Sequence, residues 1–295
     1  MKCAIGLDYG TNSVRCVIVD TANGRELGTC VYEYESGQAG ILLDPTDHNV
    51  ARQNPADYLK GAEVTVAGAI AQARQAEPSF DPKDIVGIGV DTTGSTPLPV
   101  DRNGTPLAMI EEFKGNLNAQ AWLWKDHTGY AEAAEITQLA KRDRPQYLAK
   151  CGGTYSSEWF FSKILHCLRV DPAIFDAAYT WVEHADWLPA VLTGTDHPDQ
   201  IRRCRCAAGH KAMFNDSWGG YPDAEFLSDL DPKLGQLRKT LGDRTYTVDR
   251  AAGKLTPAWA AKLGLPAGIP VAMGAFDAHR VGQVIEHRDQ RLTHQ

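Results

Sequence analysis

The chain has 295 residues, 43% of them hydrophobic and 23% charged, a composition that excludes the disordered and fibrous classes. At roughly 100–200 residues per domain it holds two domains or one large one, with enough chain to bury a core without disulfide or metal staples. A formal net charge of −7, from 37 acidic against 30 basic residues, argues against a general polyanion binder; the basic run at Arg202, Arg203 and Arg205 has no aromatic interleaving and reads as a solvated loop rather than a nucleic-acid contact.

Cys3 to Leu7 and Val14 to Val19 are apolar, β-rich runs separated by Asp8-Tyr9-Gly10-Thr11-Asn12-Ser13, the pattern of a hairpin. Asn23-Gly24 turns the chain into a third strand over Glu26 to Tyr34, so three antiparallel strands are expected at the start. Glu35 to Asn54 lacks any sustained period and reads as a long loop. Pro55 opens a helix whose apolar residues recur at helical spacing to about Ala73. Ile85 to Val90 suits a buried strand, and after Asp91-Thr92-Thr93-Gly94-Ser95-Thr96 the run Pro97 to Val100 resumes as another. Leu117 to Leu148 is read as largely helical, followed by helices over Ser156 to Val170 and Ala185 to Leu192. Gly194 to Phe214 is read as a basic, cysteine-bearing loop with a short strand, and the region to Leu265 as a few short helices. Ile269 to Met273 is the last buried strand. Strands, a helix and further strands in this order point to a layered α/β domain.

Seven cysteines, an odd number with several inside apolar stretches, argue against a disulfide framework and for a reducing compartment. No charged-then-apolar leader and no run near ~18 apolar residues is present, so a cytoplasmic protein without membrane contact is expected.

Four stretches can carry chemistry. In GLDYGTNSVR (Gly6 to Arg15) a strand delivers Asp8 into a Gly/Thr/Ser turn. Such a turn can gather N–H and hydroxyl donors on phosphate oxygens beside a carboxylate that holds hydrated Mg²⁺, although an ordinary hairpin uses the same residues for backbone reasons. GVDTTGSTPLPVD (Gly89 to Asp101) repeats the shape, and Gly94 and Ser95 would let a small polyol approach the backbone. In GAFDAH, Asp277 follows a buried strand and suits either a general base or a helix N-cap. Trp122 to His127 offers two indoles beside Lys-Asp-His, as a carbohydrate platform would, with Trp122 itself read as core. Lys211 reads as a donor to sugar hydroxyls or as a surface lysine. Cys204, Cys206 and His210 fit no common structural zinc spacing.

Taken together and in this order, GLDYGTNSVR, GVDTTGSTPLPVD, LWKDH, WLPAVLTGT, CAAGHKAMF and GAFDAH resemble the FGGY family of carbohydrate kinases, and within it the members that phosphorylate L-ribulose at the 5-hydroxyl. The resemblance spans residues 3 to 279. It implies a ribonuclease-H-like α/β fold of the actin and hexokinase type, forming one half of an interdomain cleft. It implies ATP and Mg²⁺, with Asp8, Gly10, Thr11, Ser13 and Arg15 near the metal and phosphates and Asp8 holding the metal through water. Gly94, Ser95, Trp124, Asp126 and Lys211 would line the sugar pocket, with Tyr155 and Glu158 as further candidates. Asp277 would be the general base. D-ribulose and pentitols are the alternative acceptors.

The end of the chain departs from the family. Only 18 residues follow Asp277, and they do not resemble the Gly-rich continuation in which the family's nucleotide domain begins. The expected organisation is a kinase N-terminal domain over 1–279, a non-family tail over 280–295 that reads as a frameshifted or foreign end, and no C-terminal nucleotide domain. Because phosphoryl transfer depends on positioning and charge stabilisation, a chain with one wall of the cleft is expected to bind nucleotide weakly and turn over little. It would then act as an incomplete kinase, a sugar-binding module, or one chain of a split enzyme whose partner carries the nucleotide domain.

Overall fold

The computed structural model describes residues 1–277. The chain opens with three antiparallel strands, β1 (Cys3–Tyr9), β2 (Ser13–Asp20) and β3 (Glu26–Glu33). Along β1, Cys3, Ile5, Leu7 and Tyr9 turn inward while Asp8 faces out, the period of two that places one face on a core. The segment read as a long loop contains two short strands, β4 (Leu42–Leu43) and β5 (Ala51–Gln53). They pair with each other, and β5 also pairs with β8 (Ala121–Trp122) beyond the segment, which local periodicity does not reveal.

Helix α1 (Pro55–Ala76) begins where expected: the Asn54 side chain accepts the Ala56 N–H, and Pro55 occupies the first turn, where its missing donor is not needed. Tyr58, Ala62, Val66, Ala69, Ile70 and Ala73 form its buried stripe against β2 and β3. Gly28 on β3 lies directly under the Ala69 carbonyl, where any side chain would collide with the helix backbone.

Strand β6 (Ile85–Thr92) pairs parallel to β1, and β7 (Pro97–Val100) leaves the main sheet to pair with β9 (Thr180–Glu183). Between them lie α2 (Tyr130–Asp143), α3 (Phe160–Val170) and α4 (Pro172–Ala177). The helical reading of 117 to 148 is therefore correct only for its second half. The first half is a 3₁₀ turn and a strand, because Ala121–Trp122 pairs with β5 and Ala119 and Trp122 pack as core. Helix α3 starts four residues later than its apolar pattern suggests. The Tyr155 hydroxyl accepts the Phe161 N–H at 3.0 Å, so a residue upstream supplies the helix's missing acceptor.

After β9 come α5 (His184–Thr193), ended by Gly194 in the left-handed region at φ 65°, then β10 (Arg203–Cys204) and α6 (Arg205–Lys211). The basic stretch is thus strand and helix rather than a solvated loop. Arg203 is buried and donates to the Trp181 carbonyl at 3.0 Å, while Arg205 pairs with Asp216. Helices α7 (Ala224–Leu230) and α8 (Pro232–Leu237), strands β11 (Thr245–Tyr246) and β12 (Ala251–Lys254), and α9 (Pro257–Leu263) follow. The final strand is two pieces, β13 (Pro270–Ala272) and β14 (Ala275–Phe276), broken at Gly274, which sits hard against the Ala185 carbonyl.

Among the described residues the main sheet runs β12-β13-β6-β1-β2-β3, with β14 also on β6. One core lies between this sheet, α1, α5 and α9; a second is built from α2, α3, α4, α7 and α8 around Trp122 and Trp181. All seven cysteines are free thiols. Among the described residues no helix is long and apolar enough to cross a membrane. The stretch 280–295, read as a non-family tail, lies outside the described residues.

Candidate active site

The parallel strands β1, β6 and β14 end at one edge of the sheet, the edge where open α/β sheets bind ligands. Asp8 is in register with Asp91, Ala275 is also in register with Asp91, and Asp277 follows one residue after β14. Three carboxylates from residues 8, 91 and 277 are thereby delivered to one edge. Partial burial pushes the Asp8 carboxyl above its ordinary value, the Arg15 guanidinium opposes this, and the Asp277 charge adds to the rise. Arg15 faces Asp8 from the partner position on β2.

The turn between β1 and β2 is closed by the Gly10 N–H on the Ser13 carbonyl at 2.9 Å. It is tied to its surroundings twice. Gln53 donates to the Thr11 carbonyl at 2.8 Å, and the Trp124 indole N–H donates to the Thr11 hydroxyl at 3.0 Å. A hydroxyl that accepts from Trp124 keeps its own proton to give to an oxygen ligand. Gln53 is itself held by the Tyr58 hydroxyl at 2.7 Å.

The residues expected to line a sugar pocket divide into two groups. Gly94, Trp124 and Lys211 are partly exposed. The Lys211 ammonium stands 5.4 Å above the Trp159 ring, and its carbonyl accepts the Tyr155 hydroxyl at 2.6 Å. Glu158 is also partly exposed, and Tyr155 is buried. Ser95 and Asp126, by contrast, are fully buried and committed to protein partners. The Ser95 hydroxyl donates to Glu183, whose other oxygen accepts the Thr96 N–H at 2.8 Å. Asp126 forms an ion pair with Arg52 and accepts from the Ala51 N–H at 2.9 Å and from Thr128. Arg52 in turn lies flat over the Trp122 indole, 3.4 Å from its centroid, so Trp122 is core as expected.

Gly94 packs against the Phe276 ring, where a Cβ would overlap it, so the turn after β6 seats the strand that ends at Asp277. The Phe276 N–H also donates to the Cys206 thiol sulfur at 3.4 Å. Among the described residues no cluster of three His, Cys, Asp or Glu side chains suits a metal ion, and Cys204 is spent as the N-cap of α6.

Two buried charges escape sequence reasoning. Lys163 interrupts the apolar stretch FFSKILHCL, and Glu183 follows the run Tyr179-Thr180-Trp181-Val182 directly before His184. The available signal was the lysine on an otherwise apolar helix face, since a charge inside a buried face needs a dedicated partner. Burial pushes the Lys163 ammonium down and the Glu183 carboxyl up from their ordinary values.

A family model for the N-terminal domain of the FGGY family of carbohydrate kinases matches residues 3–281. The chain is 45% identical over 276 residues to a ribulokinase of Vibrio parahaemolyticus, covering 93% of this chain and 48% of that protein. It is 39% identical over 272 residues to a ribulokinase of Bacillus licheniformis, covering 90% and 47%. The chain thus spans about half the length of the curated relatives it matches. The fold is shared with a xylulose kinase from Rhodospirillum rubrum (TM-score 0.71, 22% identity, 94% of this chain and 49% of that one). It is likewise shared with Plasmodium falciparum glycerol kinase with ADP (TM-score 0.68, 14% identity, 94% and 49%). The three carboxylate-bearing strand ends, the α/β sheet that presents them and the family match over 3–281 agree: this chain belongs to the FGGY family of carbohydrate kinases.

Proposed function

We propose that this chain forms the sugar-binding and phosphate-facing lobe of an ATP-dependent kinase that phosphorylates L-ribulose at its 5-hydroxyl. The observation that carries the reading is the delivery of Asp8, Asp91 and Asp277 to one edge of the sheet, beside the turn that Trp124 ties down. In that reading Asp277 accepts the proton of the sugar hydroxyl as its oxygen bonds to the γ-phosphorus and the bond to the bridging oxygen of ADP breaks. Gly94, Trp124 and Lys211 face the sugar, with Glu158 beside them. Ser95 and Asp126 support those surfaces from behind, because both side chains are buried. The relatives at 39–45% identity are named ribulokinases, which supports a ribulose over a pentitol as acceptor; the L configuration follows from the motif resemblance.

The donor set at the β1 turn fits a hydrated Mg²⁺ and phosphate. Asp8 offers hard carboxylate oxygens, and Thr11, Ser13 and Arg15 offer O–H and N–H groups to phosphate oxygens, with Gly10 leaving room at the turn. When bound, Mg²⁺ spreads the negative charge of the transferring phosphoryl group. Full turnover in this proposal needs the other half of the relatives' length, supplied as further chain or as a separate partner.

Calorimetric titration of the 295-residue chain with L-ribulose, D-ribulose and a pentitol tests the acceptor, and ADP release tests turnover. The expected result is selective L-ribulose binding, with turnover far below the roughly 1–100 s⁻¹ of kinases. Asp277→Asn should keep the sugar affinity and remove residual turnover. Restored turnover on adding the half of a ribulokinase that this chain does not match would support one chain of a split kinase. Absence of binding to any pentulose or pentitol would sink the reading.

A further inference from the structure

The Lys163 ammonium, fully buried at the start of α3, donates to three backbone carbonyls: Ser95 at 2.8 Å, Leu123 at 2.8 Å and Trp122 at 3.2 Å. An ammonium has three N–H donors and a neutral amine only two, so a tripod of carbonyl acceptors selects the charged form. The three carbonyls belong to two chain segments, the turn after β6 and the stretch that leads into Trp124. On the far side of Ser95, Glu183 at the end of β9 takes the Ser95 hydroxyl and the Thr96 N–H. Ser95 is therefore gripped at its carbonyl by a cation and at its hydroxyl by an anion, both of them buried side chains. The Glu183 charge also offsets that of Lys163 in a site closed to water.

We infer that Lys163 and Glu183 are positioning residues which fix the distance between the two walls of the sugar site, Gly94 on one side and Trp124 on the other. Neither touches substrate. The pair acts through Ser95, Thr96, Trp122 and Leu123, and it sets how wide the site stands before a sugar arrives. The assignment of those walls to a sugar rests on the function proposed above; the grip itself does not.

Amide hydrogen exchange on the 295-residue chain separates the two. Lys163→Met should accelerate exchange over residues 93–97 and 121–125 together, by about tenfold, while α7 and α8 keep their protection. Lys163→Arg, which keeps a charged donor, should restore most of that protection. If Lys163→Met does not fold, Glu183→Gln carries the test: it keeps an acceptor for Thr96 but removes the charge, and should loosen the same two segments. In parallel, L-ribulose affinity read from tryptophan fluorescence should weaken about tenfold in Lys163→Met and recover in Lys163→Arg. Wild-type exchange rates at both segments in these variants overturn the inference. So does a uniform acceleration across the chain, and so does loosening of both segments without loss of sugar affinity. If the wild-type chain binds no pentulose, the acceptor reading fails, and the grip stands or falls on the exchange result.

Discussion

The Trp124 indole N–H and the Thr11 hydroxyl meet at 3.0 Å across a separation of 113 residues, joining the stretch read as a sugar platform to the turn read as a phosphate cradle. In the proposed reading, a side chain that faces the sugar thereby holds a phosphate-facing hydroxyl on its edge. Trp124→Phe keeps most of the ring and deletes the donor. It should lower stability by about 0.5–1.5 kcal/mol, the net value of one such bond. In a double-mutant cycle with Thr11→Val, urea unfolding should give a coupling energy of about that size; full additivity would mean the contact is not made in solution.

Asp126 is expected to behave as a structural residue. Its carboxylate is closed off by Arg52, Ala51 and Thr128, and Arg52 is as deeply buried. Asp126→Ala leaves a guanidinium uncompensated and should cost about 3–5 kcal/mol, visible as a large fall in thermal midpoint. Replacing both partners, Arg52→Met with Asp126→Leu, should recover much of that loss. A stable Asp126→Ala chain that merely fails to bind sugar would instead make Asp126 a direct ligand.

Gly94→Ala should dislodge Phe276, since the added methyl has no space beside the ring. Overpacking of this kind costs about 1–3 kcal/mol, and here the displaced residue is the neighbour of Asp277. Combining Gly94→Ala with Phe276→Leu should return most of the stability, as measured by chemical denaturation. If the single variant unfolds at the wild-type midpoint, the ring is not seated on the turn.

His184 gives a pH signature. Its ring is fully buried, stacked 3.7 Å from Tyr58 and edge-on to Tyr9, with no hydrogen-bond partner on either nitrogen among the described residues. Burial pushes it down to about 3. The unfolded chain binds that proton near pH 6.5 and the folded chain does not, so this residue's contribution is intact above pH 6.5 and declines as pH falls towards 3. From pH 7 to pH 4 the loss is roughly 3 kcal/mol at most. Burial raises Glu183 and Asp186, which act oppositely: their penalty is relieved as pH falls. The informative quantity is therefore the difference between wild type and His184→Phe. The wild type should lose more stability than the variant between pH 7 and pH 4, and parallel pH profiles would refute the assignment.

Strands β1, β2, β3 and β6 were legible because alternation or a short apolar run records burial locally, and α1 because Asn54 and Pro55 mark its start. What the sequence concealed depends on distant partners. The pairing of Ala51–Gln53 with Ala121–Trp122 makes strands of residues with no strand pattern of their own. Helix α6 was hidden because its cap is the Cys204 sulfur, an unusual acceptor. Of the motif residues read from the sequence, Asp8 and Asp277 come to one sheet edge, while Ser95 and Asp126 turn their side chains inward. Residue type and spacing identify a turn that can face a ligand, but they do not distinguish the side chain that faces it from the one that braces it. Ser95 and Asp126 show that difference, and Lys163 and Glu183, which do the bracing, belong to no motif.

The Phe276 N–H on the Cys206 sulfur gives the molecule a built-in gauge. Cys206 is partly exposed and burial pushes its thiol up to about 11, so it alkylates slowly while the contact is made. Any lifting of the strand end that precedes Asp277 uncovers that sulfur. The rate at which a small thiol reagent labels Cys206 is then a clock for how often the corner that carries Asp277 opens, readable by mass spectrometry without nucleotide, sugar or turnover.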